Sequence, residues 1–158
     1  RTMEYYMKGA AQVVSFIATV GQRVDREIHS LMDHGELANG YVADALGSGA
    51  VEQLADSFQN KVAQQCERQG QEVGLRFSPG YCDWPVTEQH KLFSLMDSNS
   101  VGVKLGATCL MSPRKSISAV FGVYAQTKAP VIKSKNPCLR CAKKDCIARR
   151  VEPQITVQ

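Results

Sequence analysis

The fold is decided by residues 76–85, which read Arg76-Phe77-Ser78-Pro79-Gly80-Tyr81-Cys82-Asp83-Trp84-Pro85. This stretch holds the only Trp of the chain and two of its six prolines. Pro79-Gly80 fits a type II turn, because Pro sets φ at the second position and Gly accepts a positive φ at the third. A strand-like run, residues 73–75, leads into the turn, and a helix-like run begins at Val86. The sequence therefore predicts a sharp fold of the backbone between a strand and a helix.

Two interpretations of this turn follow from the residues alone. Backbone amides beside a turn and an oncoming helix N-terminus can meet a small anionic ligand, which makes the turn a candidate binding site. Alternatively, the turn is structural and is held by aromatic packing. Turns outnumber binding sites, so the residues by themselves favour the structural interpretation.

The bulk composition predicts one soluble, cytoplasmic domain. A chain of 158 residues with 44% hydrophobic and 22% charged residues is typical of a single globular unit that needs no disulfide. No apolar run approaches the roughly 18 residues of a transmembrane helix, and no signal-peptide pattern is present. The chain begins at Arg1 rather than Met, which is compatible with a preceding N-terminal segment.

Charge is distributed unevenly along the chain. Residues 1–113 carry nine Lys and Arg against 13 Asp and Glu, whereas residues 114–158 carry ten against two. This basic third could dock an acidic protein surface or a phosphate-bearing ligand, or it could be a solvated tail. Nucleic acid is disfavoured, because the basic run lacks interleaved aromatics and a recognisable reading module.

The hydrophobic pattern predicts an α+β fold with a mainly antiparallel sheet and flanking helices, because strands and helices are partly segregated along the chain. The predicted strands are residues 11–20, 72–77, 101–105 and 115–124, and the predicted helices are residues 22–33, 37–46, 50–69 and 87–96. Gly47-Ser48-Gly49-Ala50 either separates two helices, with Ser48 as N-cap, or lets helices pack closely.

The helix over residues 50–69 has an apolar stripe and one acidic residue outside it. The stripe is formed by Val51, Leu54, Phe58, Val62 and Cys66. Asp56 points well away from this stripe at 100° per residue, so we expect it to face solvent or a cleft. Cys66 is predicted to be a small buried hydrophobe.

Cys138, Cys141 and Cys146 form a CxxCxxxxC array in the basic third. The two sulfurs of a CxxC loop can reach one tetrahedral centre, and nearby Lys and Arg favour the thiolates that bind metal. A fourth ligand would be Cys109 or Cys82, and the sequence does not choose between them. Structural zinc, an iron–sulfur cluster, and free or redox-active thiols all remain open.

The order and spacing of several motifs resemble one family. Arg76-x-x-Pro79-Gly80-Tyr81, Pro85 with its helix, residues 105–113, and Ser116-Ile117-Ser118 resemble the activation domain of cobalamin-dependent methionine synthase over roughly residues 45–123. The resemblance is closer still to stand-alone members that end in a cysteine-containing tail.

This resemblance implies a curved, twisted antiparallel sheet over residues 1–127, followed by a basic cysteine-containing tail over residues 128–158. It also implies that S-adenosylmethionine binds in a shallow groove beside the turn. By position, Arg76 would meet the ligand's carboxylate and Asp56 would match the helix acid that contacts the ligand. The segment Ser78, Pro79, Gly80 and Tyr81 would hold the rest of the ligand.

The resemblance further implies an accessory role in a corrinoid-dependent methyltransferase system. In the family, the sulfonium methyl is presented to a cobalamin held by another domain, with a flavodoxin-type protein as electron donor. This chain has no Asp-x-His-x-x-Gly corrinoid loop, so any cobalamin would come on a partner protein. The alternative is a non-enzymatic, metal-binding docking module that keeps the fold without the ligand. Both interpretations leave open whether the chain itself is an enzyme.

Overall fold

A three-stranded antiparallel sheet lies at the centre of the computed structural model, which describes residues 2–125, 137–141, 143, 145, 146, 149 and 151. In chain order the strands are β1 (Gln12–Thr19), β2 (Gln71–Val73), β3 (Lys104–Leu105), β4 (Met111–Ser112) and β5 (Ser116–Ala125). The sheet order is β1-β5-β2, while β3 and β4 form a separate antiparallel pair. The predicted α+β class with a mainly antiparallel sheet is therefore confirmed.

Helices flank the sheet on both faces. They are α1 (Thr2–Met7), α2 (Gln22–Asp33), α3 (Leu37–Glu67) and α4 (Gln89–Ser94), with short 3-10 turns at Val86–Glu88, Ser98–Val101 and Pro137–Arg140. None of the helices among the described residues combines the length and apolar character that crossing a bilayer requires. The predicted domain boundary, at residues 127 and 128, lies outside the described residues.

β5 is buried on both faces because it supplies two core clusters. Ala119 and Phe121 pack with Phe16 of β1 and Ala55 of α3, and the Phe58 ring lies 4.8 Å from that of Phe16. The intervening Val120 enters the opposite cluster with Tyr6, Phe77 and Leu92. Alternate residues of a strand point to opposite faces, so the turn and α1 cover the face that α3 leaves open.

The Gly-Ser-Gly segment does not end a helix. α3 runs without a break through Gly47, where an added Cβ would lie 2.9 Å from Val24 Cγ1 and 3.2 Å from Lys115 Cγ. The close-packing alternative is thus the correct one, and the predicted division into two helices at Ser48 is wrong. The Ser48 hydroxyl donates to the Asp44 carbonyl four residues earlier instead of capping a helix.

The predicted apolar stripe of this helix is correct only in part. Val51 and Cys66 are buried, as expected, but Leu54 is 43% exposed, whereas the neighbouring Ala55 is fully buried. The contact surface is a sheet lined by bulky aromatic rings, so the position closest to it accepts only a small side chain. Helix α1 was not predicted from the sequence at all.

The Tyr124 ring lies over two glycines, Gly122 of the same strand and Gly74 just after β2. An added Cβ at Gly122 would lie 2.7 Å from Tyr124 Cζ, and one at Gly74 would lie 2.9 Å from Cε2. The Tyr124 hydroxyl donates to the Tyr6 carbonyl and so ties α1 to the sheet. Since Tyr124 is 1% exposed, its ring has little room to move aside.

Gly122→Ala should therefore destabilise the protein by about 1–3 kcal/mol, because the new methyl group overpacks the Tyr124 ring. Urea or thermal unfolding measures the change. The matched control is Gly49→Ala in α3, where no atom lies within 4 Å of the added Cβ. That control should stabilise the protein by up to about 1 kcal/mol through helix propensity. Equal stability of Gly122→Ala and wild type would show that the ring does not constrain this position.

Candidate functional site

A groove of about 660 Å³ opens between helix α3, the turn after β2 and the start of β5. This volume lies within the usual range for small-molecule sites. We call it the groove and define it by its lining residues. These are Ser48, Val51, Glu52, Arg76, Phe77, Ser78, Pro79, Tyr81, Cys82, Gln89, Met111, Arg114, Lys115, Ser116, Ile117 and Ser118.

The turn has the predicted geometry. The Tyr81 amide donates to the Ser78 carbonyl over 3.1 Å, with Pro79 and Gly80 at the two central positions, and Gly80 has φ +96°. The Gly80 amide donates to the Trp84 carbonyl, which closes the loop on itself. Pro79 is buried, while Tyr81 is 60% exposed and free to contact a ligand. The backbone of this wall is thus fixed before anything binds.

Arg76 bridges the turn and the helix. Its guanidinium lies 2.9 Å from Glu52 Oε2 and 2.8 Å from Asp56 Oδ1. The arginine side chain is 16% exposed, but the carboxylates are 54% and 65% exposed. The guanidinium is therefore held by two carboxylates, an arrangement that we call the fork. Both carboxylates stay accessible to solvent and to a cationic group.

Lys115 makes a second fixed charge on the other side of the groove. Its ammonium lies 2.8 Å from Asp44 Oδ1 and donates to the Ser48 hydroxyl over 2.9 Å, and its side chain is 10% exposed. The hydrogen bond from Lys115 lowers the pKa of Asp44 below its ordinary value, although partial burial opposes this. Both charges of the pair are thus satisfied within the protein.

Helix α3, the turn after β2 and the start of β5 meet at the groove. These segments also carry the motifs that resemble the activation-domain family. The chain matches the model of the vitamin B12 dependent methionine synthase activation domain over residues 6–132. The chain belongs to this family. No curated protein matches the chain.

The activation-domain fold brings most of the predicted ligand residues together. Arg76, Ser78, Pro79 and Tyr81 line the groove, and Gly80 lies within the same turn. Asp56 is not among the lining residues and reaches the groove only through its ion pair with Arg76. Asp56 faces away from the apolar stripe and is exposed, as the helical periodicity predicted.

Glu52, Lys115 and Gln89 are among the groove residues that the reasoning from sequence missed. Glu52 had a usable signal, because it precedes Asp56 by four residues and so shares its helix face. Lys115 and Gln89 had none. Lys115 meets Asp44 and Ser48 from a distant part of the chain, and Gln89 is polar at a position whose burial only the tertiary structure shows.

The described residues of the cysteine tail meet the same turn at Cys82. Burial, together with the hydrogen-bonded Cys141 thiol and the nearby Asp83 and Cys138, raises the pKa of the Cys82 thiol to about 12. Cys141 is buried, and Lys143 borders a depression formed by residues 80 and 82–86. Cys109 lies instead in the turn between β3 and β4. Among the described residues, no group of three or more His, Cys, Asp or Glu side chains is placed to hold a metal ion.

The Lys115–Asp44 ion pair makes stability depend on pH. Because folding depresses the pKa of Asp44, the pair contributes stability above the unfolded-state pKa of about 4 and loses it as the pH falls through the folded-state pKa. Asp44→Asn should therefore be less stable than wild type near neutral pH, and the difference should shrink below about pH 4. Urea unfolding at pH 7 and pH 3 measures both differences.

Asp33→Asn is the control, since it removes an exposed carboxyl at the C-terminal end of α2. It should change stability little at either pH. A deficit of Asp44→Asn that is the same at both pH values would contradict the proposed role of the ion pair.

Proposed function

We propose that the protein is an accessory protein of a corrinoid-dependent methyltransferase system, which binds S-adenosylmethionine or a related ligand in the groove and docks a corrinoid protein. Membership of the activation-domain family fits an accessory role in a cobalamin system. The observation that carries the ligand proposal is the fork in which Arg76 joins the turn to Glu52 and Asp56. It puts a cation and the Glu52 carboxylate beside the backbone turn in a groove of suitable volume, with the Asp56 carboxylate paired to the same cation.

The charge pattern suits a ligand that carries both signs. S-adenosylmethionine has a carboxylate, an ammonium group and a sulfonium centre. In the proposal, Arg76 faces the carboxylate, while the exposed carboxylates of Glu52 and Asp56 attract the cationic part. Ser78, Pro79, Gly80 and the exposed Tyr81 ring contact the remainder of the ligand.

The proposed chemistry needs orientation rather than acid–base catalysis. When bound, S-adenosylmethionine supplies an electrophilic methyl group, and the protein's part is to hold it facing a partner-bound corrinoid. Arg76 is well suited to this because its two ion pairs fix its position before the ligand arrives. A preorganised site lowers the entropic cost of binding.

The proposed partners are a corrinoid protein or corrinoid methyltransferase and, for reductive reactivation, a flavodoxin-type reductant. Residues 114–158 carry ten Lys and Arg against two Asp and Glu, and we propose that this basic segment supplies the surface for docking. We place the protein in the cytoplasm, where thiols stay reduced, since its six cysteines are free.

Calorimetry with S-adenosylmethionine tests the ligand proposal. Wild type should bind, and Arg76→Ala should bind at least about tenfold more weakly, because a hydrogen bond to a charged group is worth about 1.5–3 kcal/mol. Lys91→Ala is the matched control. It also breaks an ion pair between a basic side chain and a glutamate, because Lys91 Nζ lies 3.0 Å from Glu88 Oε1. Lys91 does not line the groove. Its affinity should equal that of wild type.

The absence of binding heat from wild-type protein at millimolar S-adenosylmethionine would refute the ligand proposal. Docking is measured in the same system by adding a corrinoid protein and following complex formation at rising salt. Docking through the basic surface should weaken as salt rises. A complex with no salt dependence would contradict the proposed docking surface.

A second candidate function is a metal-binding docking module that has kept the fold without the ligand. Two observations favour it: the Arg76 guanidinium is already paired with two carboxylates, and the cysteine tail packs against the turn. We propose that Cys138, Cys141 and Cys146 bind zinc or an iron–sulfur cluster, with Cys82 rather than Cys109 as the fourth ligand. The thiols must draw together around the ion for this to happen.

Elemental analysis of anaerobically purified protein tests this. About one zinc per chain should be present and should be lost in the Cys138→Ala/Cys141→Ala/Cys146→Ala variant. Cys66→Ala, which removes a buried thiol of α3, should keep the metal. Iron with a brown chromophore would assign a cluster instead of zinc. Protein without either metal would refute the metal site and leave free thiols.

A further inference from the structure

One buried amide nitrogen beside the groove has no hydrogen-bond partner among the described residues. Gln89 is 4% exposed, and its Nε2 is buried without an acceptor among the described residues. Buried amide groups in folded proteins are nearly always hydrogen bonded, because an unmet donor forfeits its bonds to water. The exception at Gln89 therefore needs a physical reason.

The position of Gln89 is imposed by its helix. Gln89 is the first residue of α4, and Leu92, three residues later on the same helix face, packs against Phe77 and Val120 in the core. Rotating α4 so that Gln89 faced solvent would pull Leu92 out of this cluster. The amide is thus held against the groove, which Gln89 lines together with the turn residues.

Two other side-chain donors that line the groove are already engaged. Arg76 donates to Glu52 and Asp56, and Lys115 donates to Ser48 and pairs with Asp44. Gln89 Nε2, in contrast, donates to no described residue. A carboxamide nitrogen can only donate, so its missing partner must be an acceptor.

We propose that Gln89 is a ligand-recognition residue of the groove, whose amide donates to an acceptor oxygen or nitrogen of the bound molecule. This inference rests on the proposed function, because it takes the groove to be the S-adenosylmethionine site. The ligand supplies acceptors in its carboxylate, its ribose hydroxyls and its adenine ring. Binding then satisfies a donor that no described residue of the free protein satisfies.

The proposal predicts opposite effects of one substitution on stability and on binding. Gln89→Met keeps the length and shape of the side chain but removes the amide. Without ligand, the Gln89→Met variant should be as stable as wild type or more stable, because the substitution removes no hydrogen bond to a described residue. The affinity for S-adenosylmethionine should fall about tenfold, which corresponds to the loss of one buried hydrogen bond.

Gln59→Met is the matched control. Gln59 Nε2 donates to the Gly74 carbonyl over 2.9 Å, and Gln59 does not line the groove. This variant should lower the unfolding midpoint and leave the affinity unchanged. The pair of variants therefore separates an amide that serves the fold from one that serves the ligand.

The measurements are urea unfolding of the free full-length chain and calorimetric titration with S-adenosylmethionine. A tenfold loss of affinity in Gln89→Met without a loss of stability supports the proposal. Gln89→Met that binds like wild type, or that loses as much stability as Gln59→Met, overturns it while the proposed function stands. Wild-type protein that binds no S-adenosylmethionine overturns the proposed function as well.

Discussion

Two backbone hydrogen bonds between Phe77 and Val120 hold the groove together. The Phe77 amide donates to the Val120 carbonyl over 2.9 Å, and the reverse bond measures 2.8 Å. This isolated bridge continues the pairing of β5 beyond β2 and fastens the turn to the central strand. The Phe77 ring is thereby fixed in the core, while its neighbours Arg76 and Ser78 line the groove. This attachment and the ion pairs of Arg76 together set the position of the turn relative to α3.

The second constraint is electrostatic. The half-buried Arg76 comes from the turn and the buried Lys115 from the start of β5, and their carboxylate partners all come from α3. This arrangement requires α3 to be one rigid helix that approaches Lys115 closely, and Gly47 permits that approach. Because these charges are matched within the fold, the groove presents alternating signs rather than a uniform field. Such a surface suits a zwitterionic ligand better than a polyanion.

Features set by local chemistry were predictable from the sequence, and features set by tertiary contacts were not. Pro79-Gly80 dictates its turn through φ preferences, and the alternation in residues 115–124 dictates β5. The predicted break of α3 at the Gly-Ser-Gly segment was wrong because local helix propensity is a weak determinant that tertiary packing overrides. For the candidate site, Arg76 and Asp56 were found through the family resemblance, whereas the burial of Gln89 and the contact of Cys82 with Cys141 depend on distant segments meeting.

The sheet register also determines when the protein can fold during synthesis. Gln12 pairs with Val123 and Thr19 with Ser116, so β1 must wait for nearly all the described chain to leave the ribosome. The α2–α3 hairpin needs only neighbouring residues and can form much earlier. Until β5 emerges, Phe16 and the other apolar residues of β1 have no partner strand. The nascent chain is therefore most prone to aggregation in the interval between completion of α3 and arrival of β5.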